Sequence, residues 1–157
     1  MDKPIHKILF VCHGNICRSP MAEFIMKDLV RKAGMSDSFV IDSAAVSYEE
    51  QGNGIYPPAR RTLSSHCIPF SDHRAHRVDD DEASAYDIII IMDSSNRHLI
   101  SRLLSAANMA KVRMMMEYAP GSPSRDVSDP WYTGDFEETF NDIMSGCKGL
   151  LSSLCDE

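Results

Sequence analysis

A cysteine and an arginine stand six positions apart near the start of the chain, at Cys12 and Arg18, with Gly14 and Asn15 between them. Glycine and asparagine tolerate the left-handed backbone that turns successive N–H groups toward one point, and such a nest binds a tetrahedral oxyanion. A guanidinium is a planar fork that holds two phosphate oxygens at once. We therefore expect residues 12–19 to bind a phosphate-like anion.

The same surroundings act on the thiol of Cys12. Inward-facing amides, the dipole of a following helix and the Arg18 guanidinium all favour the thiolate form. A thiolate held against a bound phosphate is positioned for in-line attack at phosphorus, which gives a phosphocysteine intermediate. A cysteine at a strand end is often structural, and C-x5-R alone occurs by chance. The full string through Ser19 and Pro20, between an apolar strand and a helix, favours the catalytic interpretation.

A candidate proton donor lies in a long late loop, where Asp129 precedes Pro130, Trp131 and Tyr132. Departure of an alcohol or phenol needs such a donor. The proline stiffens the approach, and the aromatic rings would wall a cleft and stack on an aromatic substrate. Asp126 lies in the same loop, and the sequence does not distinguish the two carboxylates.

Alternating strand and helix patterns predict the scaffold that positions these residues. Strands are predicted at 7–12, 39–45, 87–92 and 111–116. Helices are predicted after the first strand, with Ser19 as cap, Pro20 at the first helical position and Gly34 beyond its end, and again at 58–66, at 94–106 and from Phe136 onward. Acidic residues 79–82 fit a helix start, and 114–116 fits strand core. This alternation implies a parallel sheet covered on both faces.

Composition limits the class of protein. The 157 residues are 43% hydrophobic, enough for one domain over 1–157, and the net charge of -7 disfavours nucleic-acid or membrane binding as the main role. No apolar run approaches the roughly 18 residues of a membrane span. The five cysteines are too sparse for a disulfide scaffold and no signal peptide is evident, so we expect a cytoplasmic protein. The histidines lack metal-ligand spacing, and no metal or other cofactor is expected.

Five ordered motifs closely resemble the low-molecular-weight protein tyrosine phosphatases, and the resemblance covers nearly the whole chain. They are V-C-H-G-N-I-C-R-S-P at 11–20, D-S-A-A at 42–45, D-H-R-A at 72–75, M-D-S-S-N at 92–96 and D-P-W-Y at 129–132. The resemblance implies a single three-layer α/β domain. Its four-stranded parallel sheet would be flanked by helices on both faces, with the phosphate-binding loop after the first strand.

The resemblance also implies roles at matching positions. Cys12 would be the nucleophile, Arg18 the group that binds phosphate and stabilises the transition state, and Asp129 the general acid and then the base. The loop and cleft residues that contact phosphate or substrate would be His13, Gly14, Asn15, Ile16, Cys17, Ser19, Trp131 and Tyr132, and the hydrogen-bond network that holds the loop would include Asn15, Ser19, Ser43 and His73. Many members place an aromatic residue near Glu49, whereas here that position is acidic or the aromatic is displaced to Tyr48.

The remaining cysteines have different expected roles. Cys17 matches a second loop cysteine of part of the family, which forms a disulfide with the nucleophile and shields it from over-oxidation. A plain loop-packing role for Cys17 stays equally open. Cys147 lies on the apolar face of the last helix and is predicted to be a small buried hydrophobe, while Cys67 and Cys155 match no role.

The predicted substrate is phosphotyrosine in a protein or peptide, with inorganic phosphate as product and an oligomeric state that the sequence leaves open. An arsenate reductase is one alternative on this fold. Such an enzyme relays oxidation through added cysteines, and residues 79–100 contain no cysteine, which argues against it. A phosphoarginine phosphatase is another alternative on this fold. Members of that branch have a threonine at the position where this chain has Ile16. An inactive oxyanion-binding module is the alternative from another class, and the presence of nucleophile, arginine and acid together argues against it.

Overall fold

The structure, a computed structural model, describes residues 5–121 and 125–155. Within these ranges a four-stranded parallel sheet has the order β2-β1-β3-β4. The strands are β1 (His6–Cys12), β2 (Phe39–Ala45), β3 (Ile88–Ile91) and β4 (Val112–Met114). The predicted α/β class and four parallel strands are confirmed. The ends of the predicted domain, residues 1 and 157, lie outside the described residues.

Helices follow and cover these strands. They are α1 (Arg18–Lys32), α2 (Pro57–Ser65), α3 (Asp80–Ala83), α4 (Ser94–Ile100), α5 (Ala106–Met109), α6 (Pro130–Thr133) and α7 (Phe136–Cys155), with 3-10 turns at Ser36–Ser38 and Met115–Tyr118. The predicted helix at 94–106 ends at Ile100, and a turn leads to the separate helix α5, whose start is capped by Ser105. No helix in the described ranges is long and apolar enough to cross a membrane.

Strand β1 shows why the sheet needs helices on both faces. Ile8, Phe10 and Cys12 belong to the core that α1 and α7 cover, whereas Leu9 and Val11 belong to the core on the opposite face. All five side chains are buried. The nearly continuous apolar run is thus the pattern of a parallel strand buried on both sides, as predicted.

The start of α1 differs from the prediction. The helix begins at Arg18, with Cys17 in the capping position, so Ser19 is not the cap and Pro20 is not at the first position. The Ser19 hydroxyl instead turns toward Cys12, 3.1 Å from its Sγ atom. Pro20 is tolerated because N–H groups in the first helical turn have no partner within the helix.

Strand β4 is shorter than predicted. It ends at Met114, and the next residues form a 3-10 turn in which Met115 and Met116 are buried. The prediction of strand core at 114–116 is therefore wrong for the last two residues, because an apolar run buried in a turn has the same composition as one buried in a strand.

Helix α7 packs directly against the backbone of that turn. A Cβ atom built on Gly149 would lie 1.9 Å from the Tyr118 carbonyl oxygen, and one on Gly146 would lie 2.9 Å from the Met115 carbonyl oxygen. Two glycines are therefore required on the buried face of α7, between the apolar residues that the periodicity identifies.

Candidate active site

The loop from β1 to α1 surrounds the sulfur of Cys12. The backbone N–H groups of Asn15 and Ser19 donate to Sγ at 3.3 and 3.4 Å, and the Ser19 hydroxyl lies 3.1 Å away. All three residues are buried. Because the two backbone N–H donors converge on one atom in a site largely closed to solvent, they stabilise negative charge on the sulfur.

Asn15 gives the loop its shape. Its φ angle of 62° is left-handed, and it is fully buried. Its side-chain amide donates to the hydroxyls of Ser19 (2.7 Å) and Ser43 (3.0 Å), and its amide oxygen accepts from the backbone N–H of His76 at 3.3 Å. His73 Nε2 donates to the backbone carbonyl oxygen of Asn15 at 2.8 Å. The structure thus brings Ser43 and His73 to the loop, as the resemblance implies.

Glu23 extends this network and was not identified from the sequence. Its carboxylate is buried and accepts from the Ser43 hydroxyl at 2.6 Å and from Lys27 Nζ at 2.6 Å. His73 Nδ1 lies 4.0 Å from it. The available signal was an acidic residue four positions before a lysine within an otherwise buried helix, which indicates an intrahelical pair but not a loop support.

Arg18 lies beneath the loop with 2% of its side chain exposed. One guanidinium nitrogen donates to Asp93 Oδ2 at 2.6 Å and to the Val127 carbonyl oxygen at 2.9 Å, and the other faces Asp129 Oδ2 at 3.3 Å. Burial lowers the pKa of Arg18, but the negative groups at Cys12, Asp93 and Asp129 outweigh it, and the net direction is upward. Arg18 therefore remains a cation.

Asp129, and not Asp126, reaches the cleft. Asp129 Oδ1 accepts from the Trp131 N–H at 3.0 Å and caps α6, while Oδ2 faces Arg18. Asp126 is exposed and accepts from the Ser94 hydroxyl at 3.1 Å. The structure thus resolves the choice that the sequence left open.

The cleft above Cys12 has an aromatic side. Trp131 is 54% exposed and packs against Tyr56, with ring centroids 5.1 Å apart, and Tyr56 stacks in turn on Phe136. Tyr132 is 84% exposed. The residues that line the cleft are Cys12, His13, Gly14, Ile16, Cys17, Arg18, Glu49, Glu50, Asp129, Trp131 and Tyr132. Within the described ranges no three His, Cys, Asp or Glu side chains are grouped so as to hold a metal ion.

Residues 7–157 match the family model described as low molecular weight phosphotyrosine protein phosphatase. The chain belongs to this family. It is 37% identical over 150 residues to the low molecular weight protein-tyrosine-phosphatase YfkJ of Bacillus subtilis, with 96% of each chain covered. It is 34% identical over 157 residues to the human low molecular weight phosphotyrosine protein phosphatase, again with 96% of each covered. The crystal structure of YfkJ has a TM-score of 0.92 and covers 99% of this chain and 98% of that one.

This member of the low molecular weight phosphatase family has an acidic side to its cleft. Glu49 and Glu50 line it, and Tyr48 does not. The Tyr48 ring instead lies against the guanidinium of Arg77, 4.0 Å from its centroid. The aromatic residue that many members place near this position is therefore displaced from the cleft wall.

Gly14 allows Glu50 to approach the loop. A Cβ atom on Gly14 would lie 3.2 Å from Glu50 Cγ, and its φ angle is not left-handed. Of the two residues expected to adopt that backbone, only Asn15 does so.

Cys17 lines the cleft but is buried, packed with Ile16 and Ala75. Burial raises its pKa, and the charges of Cys12 and Asp129 act in the same direction. Cys17 is therefore a neutral thiol in the reduced protein. Cys147 is fully buried, as predicted, and burial raises its pKa as well.

Two further residues, Asp93 and Val127, hold Arg18 and the late loop in place, and the sequence does not single them out. Asp93 orients Arg18 with one oxygen and caps α4 with the other, through the Asn96 N–H at 2.7 Å. The backbone N–H of Val127 donates to the Met92 carbonyl at 2.8 Å, which ties the late loop to the end of β3. The motif containing Asp93 was recognised, and an aspartate between a strand and a helix is a cap signal.

Proposed function

We propose that this phosphatase hydrolyses phosphotyrosine in proteins, and small aryl phosphates, through a phosphocysteine intermediate. The observation that carries the proposal is the convergence of three hydrogen-bonding groups and the buried Arg18 on Cys12, with Asp129 facing the same cleft. A thiolate, an anion cradle and a proton donor are the three parts that this reaction needs.

In the first step the Cys12 sulfur attacks phosphorus from the side opposite the tyrosine oxygen. The S–P bond forms as the P–O bond to the phenol breaks, and protonated Asp129 gives its proton to the departing oxygen. The amides of residues 13–18 and the Arg18 guanidinium stabilise the negative charge on the three equatorial phosphoryl oxygens.

In the second step water attacks the phosphocysteine. The Asp129 carboxylate accepts a proton from that water, the S–P bond breaks and inorganic phosphate leaves, which restores the Cys12 thiolate. Neither step changes an oxidation state, and water is the only reactant besides the phosphate ester and the residues of the chain.

The cleft suits an aromatic leaving group. Trp131, supported by Tyr56, offers a ring face to the phenyl group, and Ile16 contributes an apolar surface at the loop. A phosphoarginine side chain would need polar partners for its guanidinium at the position of Ile16. A comparison of kcat/KM on phosphotyrosine and phosphoarginine tests this, and a higher value on phosphoarginine would overturn the substrate assignment.

The deciding experiment compares Cys12→Ser with Cys67→Ser. Cys67 is exposed and does not line the cleft, so its substitution controls for loss of a thiol elsewhere. We expect Cys12→Ser to abolish hydrolysis of p-nitrophenyl phosphate and of a phosphotyrosine peptide, and Cys67→Ser to retain both. Acid quench of the native enzyme should trap phosphocysteine on the peptide that contains Cys12. Activity surviving in Cys12→Ser would overturn the mechanism.

Two other activities have distinct readouts. Phosphate binding without any turnover would favour an inactive oxyanion-binding module. Thiol-coupled reduction of arsenate would favour an arsenate reductase. We expect turnover of the phosphate monoester, because the cleft-lining residues include nucleophile, arginine and acid together. We expect no arsenate reduction, because residues 79–100 contain no cysteine to relay the oxidation.

Cys17 stays a proposed redox partner of Cys12. Peroxide would oxidise the Cys12 thiolate to sulfenic acid, and the Cys17 thiol would then displace water to form the disulfide. Both cysteines line the cleft. After a peroxide pulse and thiol reduction, Cys17→Ser should recover less activity than the native enzyme. Equal recovery would leave Cys17 as a loop-packing residue.

An Asp129→Ala variant can be used to identify the protein substrates, because it should bind phosphoprotein while turning it over slowly. Capture from an extract of the source cells, released by a competing oxyanion such as vanadate, would identify them. The proposed partners are such phosphoproteins and no nucleic acid, and a cytoplasmic location stays a prediction from the sequence.

A further inference from the structure

One side of the cleft mouth carries two carboxylates, Glu49 and Glu50, which we call the acidic rim. Trp131 and Tyr132 line the same cleft. A phosphotyrosine side chain that reaches Cys12 enters this cleft and passes beside the acidic rim. The residues flanking the phosphotyrosine in a peptide therefore come to lie near the acidic rim.

Contacts within the chain hold both carboxylates in place. Glu49 Oε2 accepts from His13 Nε2 at 2.9 Å. Glu50 Oε2 accepts from the side-chain amide of Asn53 at 2.7 Å, and its Cγ packs over Gly14. Held side chains lose less conformational entropy when they bind a partner, so the rim is preorganised for a charged ligand.

The basic side chains that line the cleft offset this rim only in part, through the contact of His13 with Glu49. Among the described residues that line the cleft, the basic side chains are Arg18, which is buried on Asp93 and Asp129, and His13. Arg77 is directed to the ring of Tyr48, outside the cleft lining.

The next basic side chains lie in a neighbouring groove. Arg60 and Arg74 line it together with Asp72, and Glu50 borders both this groove and the cleft. Arg74 Nε lies 3.7 Å from Asp72. Because Arg18, which is buried, and His13 are the only basic side chains among the described residues that line the cleft itself, the rim makes the potential beside the phosphotyrosine negative.

We propose that Glu49 and Glu50 are specificity-determining residues that select phosphotyrosine flanked by lysine or arginine and disfavour acidic flanks. The inference rests on the proposed function and adds the charge class of its substrate. Complementary charge raises the association rate and suppresses partners of like charge. The buried Arg18 and the loop amides bind the phosphate dianion deep in the cleft. The acidic rim binds a cationic flanking side chain at the mouth of the same cleft.

The experiment compares kcat/KM for three phosphotyrosine peptides that differ only in having lysine, glutamine or glutamate beside the phosphotyrosine. For the native enzyme we expect the order lysine, glutamine, glutamate, with about threefold per rim carboxylate between charged and neutral flanks, as for exposed ion pairs. The differences should shrink as salt is raised from 0.01 to 0.5 M, because screening shortens the range of the interaction.

The variants Glu49→Gln and Glu50→Gln should each reduce the lysine-to-glutamate ratio, and the double variant should bring it close to one. Asp37→Asn is the matched control, since it removes one negative charge from the exposed turn before β2, at the strand end opposite the one that carries Cys12, and should keep the native ratio.

Two failures are distinguishable. If the glutamine peptide and p-nitrophenyl phosphate are not hydrolysed by the native enzyme, the proposed function fails. If both are hydrolysed but the flanking charge does not alter kcat/KM, or the ratio survives in the double variant, the acidic rim does not select substrates.

Discussion

The floor of the cleft and its mouth are built in different ways. At the floor, Cys12, Asn15 and Arg18 are almost fully buried, and each has at least three polar contacts. At the mouth, the exposed His13 and Glu49 form one pair with each other. Buried networks confine side chains to one arrangement, whereas exposed pairs contribute little energy. We conclude that chemistry is fixed at the floor and that substrate choice can vary at the mouth.

The largest expected effect is that of Asp129→Asn, between the floor and the mouth. The amide oxygen still accepts from the Trp131 N–H and caps α6, but the side chain no longer transfers a proton. We expect kcat for a phosphotyrosine peptide to fall by about a thousandfold.

The loss should be smaller on an aryl phosphate whose phenol is a strong acid, because that leaving group needs less protonation. An equal loss on both substrates would show that Asp129 acts through structure alone. Asp126→Asn is the matched control in the same loop and should retain activity, since its carboxylate contacts Ser94 at the surface.

Asn15→Ala should reduce kcat by about a hundredfold. The change removes the amide that joins Ser19 to Ser43 and places alanine at a left-handed φ of 62°. It should also lower the free energy of unfolding by about 2 kcal/mol, because buried groups lose their partners. Denaturant unfolding and steady-state kinetics measure the two effects.

The comparison between floor and mouth is sharpened by Asn53→Ala. Asn53 is an exposed asparagine that holds Glu50 at the mouth. We expect Asn53→Ala to change the free energy of unfolding of the protein by less than about 0.5 kcal/mol. A loss as large as that of Asn15→Ala would contradict the difference between the two regions.

Trp131→Ala should raise KM for phosphotyrosine about tenfold, because the ring that packs against Tyr56 is removed from the mouth. The effect on kcat should be small, since the loop below is unchanged. Replacement by phenylalanine should restore most of the affinity, whereas a fall in kcat without a change in KM would place Trp131 in the chemical step.

The smallest expected effect concerns pH. The pKa of His76 is raised by its hydrogen bond to Glu82 at 2.7 Å, although burial opposes this. A raised pKa in the folded state means that the contribution to stability is complete below about pH 6.5, the unfolded value, and is lost as pH rises through the folded value.

The His76 side chain is 40% exposed, so screening keeps this contribution below about 1 kcal/mol. Unfolding of the native enzyme and of His76→Gln between pH 5 and 8 checks it. The free energy of unfolding of His76→Gln should lack the part that is lost as pH rises in the native enzyme. Identical pH profiles of the two proteins would contradict the prediction.

Local patterns account for what the sequence predicts well. The apolar run of β1, the loop residues from Cys12 to Ser19 and the helix periodicity of α7 all depend on neighbours in the chain. The burial of alternate β1 side chains on opposite faces follows from the same pattern. The strand order β2-β1-β3-β4 depends on pairing between distant segments and is not predicted.

Long-range contacts account for what it misses. Asp126 and Asp129 have the same local context and differ only in what they face, Ser94 or Arg18. The burial of Glu23 depends on Ser43, twenty positions away. The displacement of Tyr48 from the cleft depends on Arg77, which no spacing rule connects to it.

The alternation along β1 also bears on how this gene can change length. Cys12 lies on the same face of β1 as Ile8 and Phe10. The direction of its side chain therefore depends on an even spacing from these two residues. One residue inserted or deleted between them would turn Cys12 toward the opposite face and move the side chains beyond the change from one core to the other. Length variation among functional descendants should therefore be confined to the connections between strands and helices, where no such parity is imposed.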